Sequence, residues 1–233
     1  MSLLTICQKA ASSLKLPKPL SLIGSTDETN QRLLEMAQEE GQDLAYRSDW
    51  NKLVLETVFT TDGTGEYDLE TIAPAFDYMT TSQVWDRSNR RDITFINPDD
   101  WQTDQSWGIL NVYNQFRIRG GDLLIYPALA SGEELAFEYM SRAFCKSNTG
   151  TPQREWEADT DTGTLDEDIM KLGVVWRYRK LQGFAYQDDL ALYERRVSAA
   201  IQRDKSMPNI HLGGTRTMRG RPTMNIPETG VGQ

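Results

Sequence analysis

Apolar residues in this chain recur with a helical period at both ends and with a period of two in the middle. That double change of period constrains the fold more than any other feature. Each one-faced segment must bury its apolar side against a partner, so terminal helices and central strands together require a mixed architecture. At the amino-terminal end Leu3, Ile6, Cys7, Ala10 and Leu14 share one helical stripe, which Pro17 and Pro19 stop. Ser25 followed by Glu28 has the spacing of a capping box. The helix predicted after it carries Leu33, Met36, Ala37, Leu44 and Ala45 on one face and runs to about Arg47. Near the other end Thr164 and Glu167 repeat that spacing, and Ile169, Leu172 and Trp176 mark a helix. Its first turn is acidic and its last is basic, as the helix dipole favours. Gly183 suggests a break, after which Leu190, Tyr193, Val197 and Ile201 define another helix.

Between these ends the pattern is that of strands. LVLETVFT (53–60) and GEYDL (65–69) alternate and flank a TDGT turn signal. VWDRSNRRDITFI (84–96) reads as two strands around Ser88–Asn89, and ELAFEYMSR (134–142) sets Leu135, Phe137 and Tyr139 against Ala136, Glu138 and Met140. NPDDWQTD (97–104) interrupts them with a short helix, capped by Asn97 and begun by Pro98. FRIRGGDLLIYP (116–127) holds two arginines beside two glycines, which invites a phosphate-loop reading. Phosphate loops run from a strand into a helix, whose amide groups meet the anion. Here a second strand follows, so a hairpin is expected, with Phe116 and Ile118 on one face and Arg117 and Arg119 on the other. Those two arginines are therefore expected on an exposed or intersubunit face.

The predicted fold class is α+β. Residues 1–50 and 164–204 form a helical bundle, and 51–145 an inserted antiparallel β-rich domain. Residues 146–163 are a polar loop and 205–233 an extended carboxy-terminal arm. The arm has no periodicity, five glycines and three prolines, too little apolar surface to fold alone, and so needs a partner. Lys205, Arg216, Arg219 and Arg221 against Glu228 give it +3; the whole chain is −9, so the first 204 residues hold −12. Such a body repels nucleic acid and anionic lipid over roughly 8–10 Å at physiological salt. There is no apolar run long enough to span a membrane and no signal-peptide pattern at the start. Cys7 and Cys145 support no disulfide framework, which fits synthesis in a reducing cytoplasm.

Catalytic and ligand-binding chemistry finds little support. His211 is the only histidine, which disfavours His-dependent triads and Cys/His metal sites. No Walker loop or HExxH pattern is present. Asp161–Thr162–Gly163 spells the aspartic-protease triplet, but between polar rather than apolar flanks. As a calcium loop starting at Asp159 it places Gly163 at position five and Met170 where a bidentate Glu belongs. A solvated loop leading into a helix cap is the plainer reading. No catalytic, cofactor-binding or metal-binding residue is therefore assigned, and no cofactor is expected. Two alternatives stand beside a structural role. One is a virion-associated hydrolase of cell-wall glycan, resting on an unidentified pair among the 34 acids. The other is a nucleic-acid-binding module using TRTMRGRP (215–222), which lacks interleaved aromatics.

MSLLTICQKA, NQRLLEMAQEEGQDLAYRSDW, VWDRSNRR, FRIRGGDLLIYPALASGEELAFEYMS and DTDTGTLDEDIMKLGVVWRYRKLQG together resemble, in order over residues 1–204, the head-to-tail adaptor proteins of short-tailed bacteriophages. These are also described as tail accessory or head-completion proteins. The resemblance implies a virion protein at the head–tail interface that forms a homo-oligomeric ring, typically a dodecamer, beneath the portal. Such a ring prolongs the DNA channel, through which packaged DNA passes without sequence-specific binding. It offers a platform to a tail nozzle or other tail protein, and extends its carboxy-terminal arms onto the portal. In this chain the portal-docking residues would be Ile210, Leu212, Arg216, Met218, Arg219 and Arg221. Arg117 and Arg119 are candidates for an intersubunit or tail contact. No membrane partner is implied.

Overall fold

The computed structural model describes residues 2–107 and 113–205. Among them are six α-helices and a curled sheet, an α+β fold. Helix α1 (Leu3–Leu14) starts at Ser2, whose hydroxyl accepts from the Thr5 amide, and ends at Lys15 with φ 57°. It buries Leu3, Ile6, Cys7, Ala10 and Ala11, the predicted stripe with Ala11 in place of the half-buried Leu14. Helix α2 (Glu28–Arg47) buries Leu33, Met36, Ala37, Leu44 and Ala45, and also Glu40 and Gly41.

Its N-cap is Asp27, accepting from the Asn30 amide at 3.0 Å, and not Ser25. The second capping box is displaced in the same way: helix α5 (Glu167–Leu181) is capped by Asp166, which accepts from the amides of Asp168 and Ile169. In both cases a carboxylate two residues further on takes the role of the hydroxyl, because a negative charge at the positive helix end is the stronger acceptor. The Thr164 amide is already committed to the Phe144 carbonyl. Helix α6 (Gln187–Lys205) buries only Tyr193 and Val197. Helix α5 is the hub, touching α1, α2 and α6.

The central strands are β1 (Val54–Thr60), β2 (Glu66–Asp68), β3 (Phe76–Met79), β4 (Gln83–Asp86), β5 (Arg91–Phe95), β6 (Gln115–Arg119), β7 (Asp122–Tyr126) and β8 (Glu134–Ser141). The short helices α3 (Leu69–Ile72) and α4 (Pro98–Trp107) lie among them. Sheet order is β1-β8-β4-β5-β6-β7-β2, with β3 also on β8. Strands β1 and β2 flank the TDGT signal yet do not pair: β1 lies on β8 and β2 on β7. Every pair in this sheet is antiparallel except β5–β6, since α4 carries the chain across before β6 begins. The Asn97 cap on α4 is present, with the Asp100 amide 2.9 Å from its Oδ1.

Two apolar cores meet at β8. Leu135, Phe137 and Tyr139 enter the sheet core with Val84, Ile93 and Phe116, while Met140 enters the helical core with Leu44, Phe144 and Val174. One strand thus belongs to both, because its successive side chains face opposite ways. The polar stretch after β8 forms three two-residue strands, β9 (Cys145–Lys146), β10 (Pro152–Gln153) and β11 (Thr162–Gly163), with β9 central. Trp156 closes this region, buried against Phe144 and donating to the Ala37 carbonyl at 3.3 Å. Cys7 and Cys145 are free and buried, and burial pushes each thiol up to about 12.

Candidate interaction surfaces

Gly120 and Gly121 alone join β6 to β7, with φ of 69° and 100°. Two positive values are what a type I′ hairpin turn demands, and only glycine adopts them without strain. A Cβ at either position would meet nothing within 4 Å, while the Gly121 carbonyl accepts from the Leu69 amide at 3.0 Å and ties the turn to α3. The register sets Arg117 opposite Leu124 and Arg119 opposite Asp122. Both arginines share the face of Leu124 and Tyr126, where α4 packs through Trp101. Arg117 is half-buried there and Arg119 is exposed at the tip. The structure thus brings the two together on one face at the end of a hairpin.

The same sheet face, followed toward β1, is open. Val58 stands opposite Ala136 and Ala136 opposite Trp85, a row across β1, β8 and β4. Val58 is 47% and Trp85 51% exposed. Around the row stand Glu56, Glu134, Glu138 and Asp92. Arg87 reaches over it to Glu56 and, at 3.6 Å, to Glu134. Single exposed apolar residues need no explanation, but a tryptophan and a valine on either side of Ala136, among four carboxylates, form a patch.

A cluster of charge is buried between α2 and α5. Glu40 is fully buried and receives the Arg177 guanidinium, which also binds Asp43 and lies 3.9 Å from Glu39. Gly173 makes room for it: a Cβ there would lie 2.0 Å from the Glu40 carboxylate. Burial pushes the Glu40 carboxyl up to about 7, against the opposing pull of Arg177. Burial, then the nearby Glu40 charge, pushes the Tyr193 phenol up as well. Glu40 and Tyr193 lie close enough to shift each other's titration, although neither Glu40 Oε1 nor the Tyr193 hydroxyl makes a hydrogen bond of ordinary geometry. The Arg177 guanidinium also stacks 4.6 Å from the Trp176 ring centroid. Sequence reasoning passed over this cluster, although a signal was present: Glu40 falls on the apolar face of α2, between Ala37 and Leu44. The arrangement ties two helices together; no bound group is needed to account for it.

The Asp161–Thr162–Gly163 triplet is not the solvated loop that its polar flanks suggest. Asp161 is buried, and its carboxylate accepts from the Glu157 and Ala158 amides at 2.9 and 2.8 Å. Asp159 accepts from the Leu22 and Ile23 amides, each at 3.0 Å, and from the Ser21 hydroxyl at 2.8 Å. Burial alone would raise the Asp159 carboxyl, but these donors outweigh it and hold the group below the usual carboxylate range. The carbonyls of Asp159 and Asp161 accept from the Leu4 and Leu3 amides, so the loop also caps α1. Two aspartates that suggested chemistry are consumed in holding the chain.

Among the described residues no group of three His, Cys, Asp or Glu side chains is placed to hold a metal ion, and no helix is long and apolar enough to cross a membrane. Ile210, Leu212, Arg216, Met218, Arg219 and Arg221 lie outside the described residues. Asn51 fixes the point from which they depart: its amide donates to the Asp204 carboxylate at 2.8 Å and its side chain to the Asp204 carbonyl at 2.7 Å.

A comparison with curated proteins finds no match. A comparison with family models matches the SU10 adaptor protein over residues 1–221, which takes in helices, sheet and the first part of the basic arm. With nearly the whole chain covered, this α+β protein belongs to the SU10 adaptor protein family, a family of phage adaptors.

Proposed function

We propose that the protein is a structural head-to-tail adaptor: copies close into a ring, a dodecamer by resemblance to such proteins, that docks beneath the portal of a short-tailed phage. The family match over residues 1–221 carries this reading. The helical bundle of residues 1–50 and 164–204 and the β-rich domain of 51–145 form the ring body. The arm, 205–233, lies on the portal through Ile210, Leu212, Met218 and its three arginines. The ring prolongs the DNA channel and offers a platform to the nozzle or another tail protein. The −12 charge of the first 204 residues suits a conduit, because like charge along its wall keeps DNA from adhering.

Ring neighbours meet head to tail, a heterologous contact that closes on itself. Interfaces of roughly 800 Å² per partner are in the range of stable complexes. Arg117 and Arg119 are assigned to a contact with a ring neighbour or tail protein, because they share one sheet face at the end of a hairpin where Arg119 is exposed. Each arm adds little by itself, but many arms on one ring act at high effective concentration. Deleting residues 205–233 is expected to leave a folded body that no longer cosediments with portals. Truncated protein attaching at the level of the full chain would refute the docking role of the arm.

A further inference from the structure

The chain leaves the described fold at Lys205, beside Asn51, three residues before β1 begins. Strand β1 runs from that point along the open sheet face. Val54 to Val58 is four residues, about 13 Å of strand. The five residues from Lys205 to Ile210 span at most about 17 Å when extended. Counting from Asn51, seven residues lead to Val58, and the seven from Lys205 to Leu212 span at most about 24 Å when extended, so residues 210–221 are long enough to reach Val58 and, two strands further on, Trp85.

Its chemistry matches what it reaches. Residues 210–221 combine three apolar side chains (Ile210, Leu212, Met218) with Arg216, Arg219 and Arg221, and contain no acid. The sheet face offers an apolar row, Val58–Ala136–Trp85, among four carboxylates and only one arginine, Arg87. Glu138, exposed at the centre of β8, has no ion-pair partner among the described residues. An indole flanked by carboxylates suits an arginine-rich strap, since the ring face attracts the guanidinium and the acids bind it.

We propose that in the free protein residues 210–221 dock in cis on this face, over Val58, Trp85 and Glu138, and must leave it before the arm can engage another molecule. The short tether gives the segment a local concentration in the millimolar range, so weak contacts suffice. The strap concerns the same arm as the proposed function, but holds whether or not that arm reaches a portal. It also supplies a reason for an adaptor to stay unattached until the displacing surface is present.

The test uses the isolated full-length chain and no portal. Trypsin cleavage after Arg216 and Arg219 is followed by mass spectrometry at low salt. Cleavage is expected to be about tenfold slower than in Trp85→Ala, in Glu138→Lys or in a synthetic peptide of residues 206–233, because cleavage tracks the undocked population. High salt should remove the protection from the unaltered chain, which makes the outcome independent of how the variants fold. Protection should not change over about a hundredfold range of protein concentration, as a cis contact requires. Equal rates in the chain and the peptide would overturn the proposal. Protection that grows with concentration would overturn it too, by assigning the contact to a second copy.

Discussion

Replacing Gly173 with alanine probes the buried charge cluster directly. A methyl group at that position would lie 2.0 Å from the Glu40 carboxylate carbon and Oε2. Nonbonded carbon and oxygen atoms settle near 3.5 Å, so the carboxylate must withdraw by about 1.5 Å. It has nowhere to go without loosening its contact with Arg177, which sits between Glu40 and Asp43. Forcing a methyl into a filled site costs about 1–3 kcal/mol. Alanine recovers up to about 1 kcal/mol through its better helix propensity. Because the clash displaces one partner of a buried ion pair, the cost belongs in the upper part of that range, about 2–3 kcal/mol, so the net loss should be about 1–2 kcal/mol, a fall in Tm of about 2–8 °C for a chain of this size. A double-mutant cycle isolates the cause. In a Glu40→Ala background the obstruction is gone and Arg177 retains Asp43 and Glu39, so the same glycine substitution should become stabilising by about 0.5–1 kcal/mol. Calorimetric melts of the four proteins read this sign reversal. If Gly173→Ala is neutral or stabilising in the unaltered chain, the close approach of α2 and α5 is wrong.

Other consequences follow from the same structure. Glu40 titrates near 4.5 when exposed and at about 7 when folded, so the folded state holds its proton more tightly between those values. Its contribution is present below about pH 4.5 and is lost as pH rises through 7, up to about 3 kcal/mol. Glu40→Gln should flatten this part of the stability–pH curve, measured by denaturant titration; an unchanged slope would show that Glu40 does not titrate there. Asp161→Ala leaves the Glu157 and Ala158 amides without an acceptor and should cost about 1–3 kcal/mol, seen as a lower Tm; an unchanged Tm would refute the clamp. Arg117→Glu with Arg119→Glu, at the end of a hairpin, should leave Tm within about 1 kcal/mol equivalent while abolishing ring assembly or tail attachment in particle images; rings of normal composition would remove these residues from the contact.

What sequence reveals of this fold depends on how local the cause is. The β6–β7 hairpin was legible because Gly120 and Gly121 supply the two positive φ values within the turn itself. The α4 cap was legible because Asn97 and Asp100 are neighbours on one turn. The starts of α2 and α5 were read two residues early, since Ser25 and Thr164 have the right spacing but Asp27 and Asp166 are the better acceptors. Strand partners were not legible: the pairing of β1 with β8 joins residues about eighty positions apart, and no local pattern encodes it. The parallel β5–β6 pair depends on where α4 delivers the chain. The triplet at Asp161 misleads because its partners, Leu3 and the amides of its own loop, are set by tertiary contacts. The exposed row at Trp85 was hidden for the same reason, as it exists only once β1, β8 and β4 lie side by side.

Electron cryomicroscopy of the protein bound to its portal addresses the adaptor role most directly. A closed ring of copies coaxial with the portal, with residues 210–221 pressed against portal subunits, is the predicted result. Particles without a ring, or a ring in which that segment touches no other subunit, would contradict it.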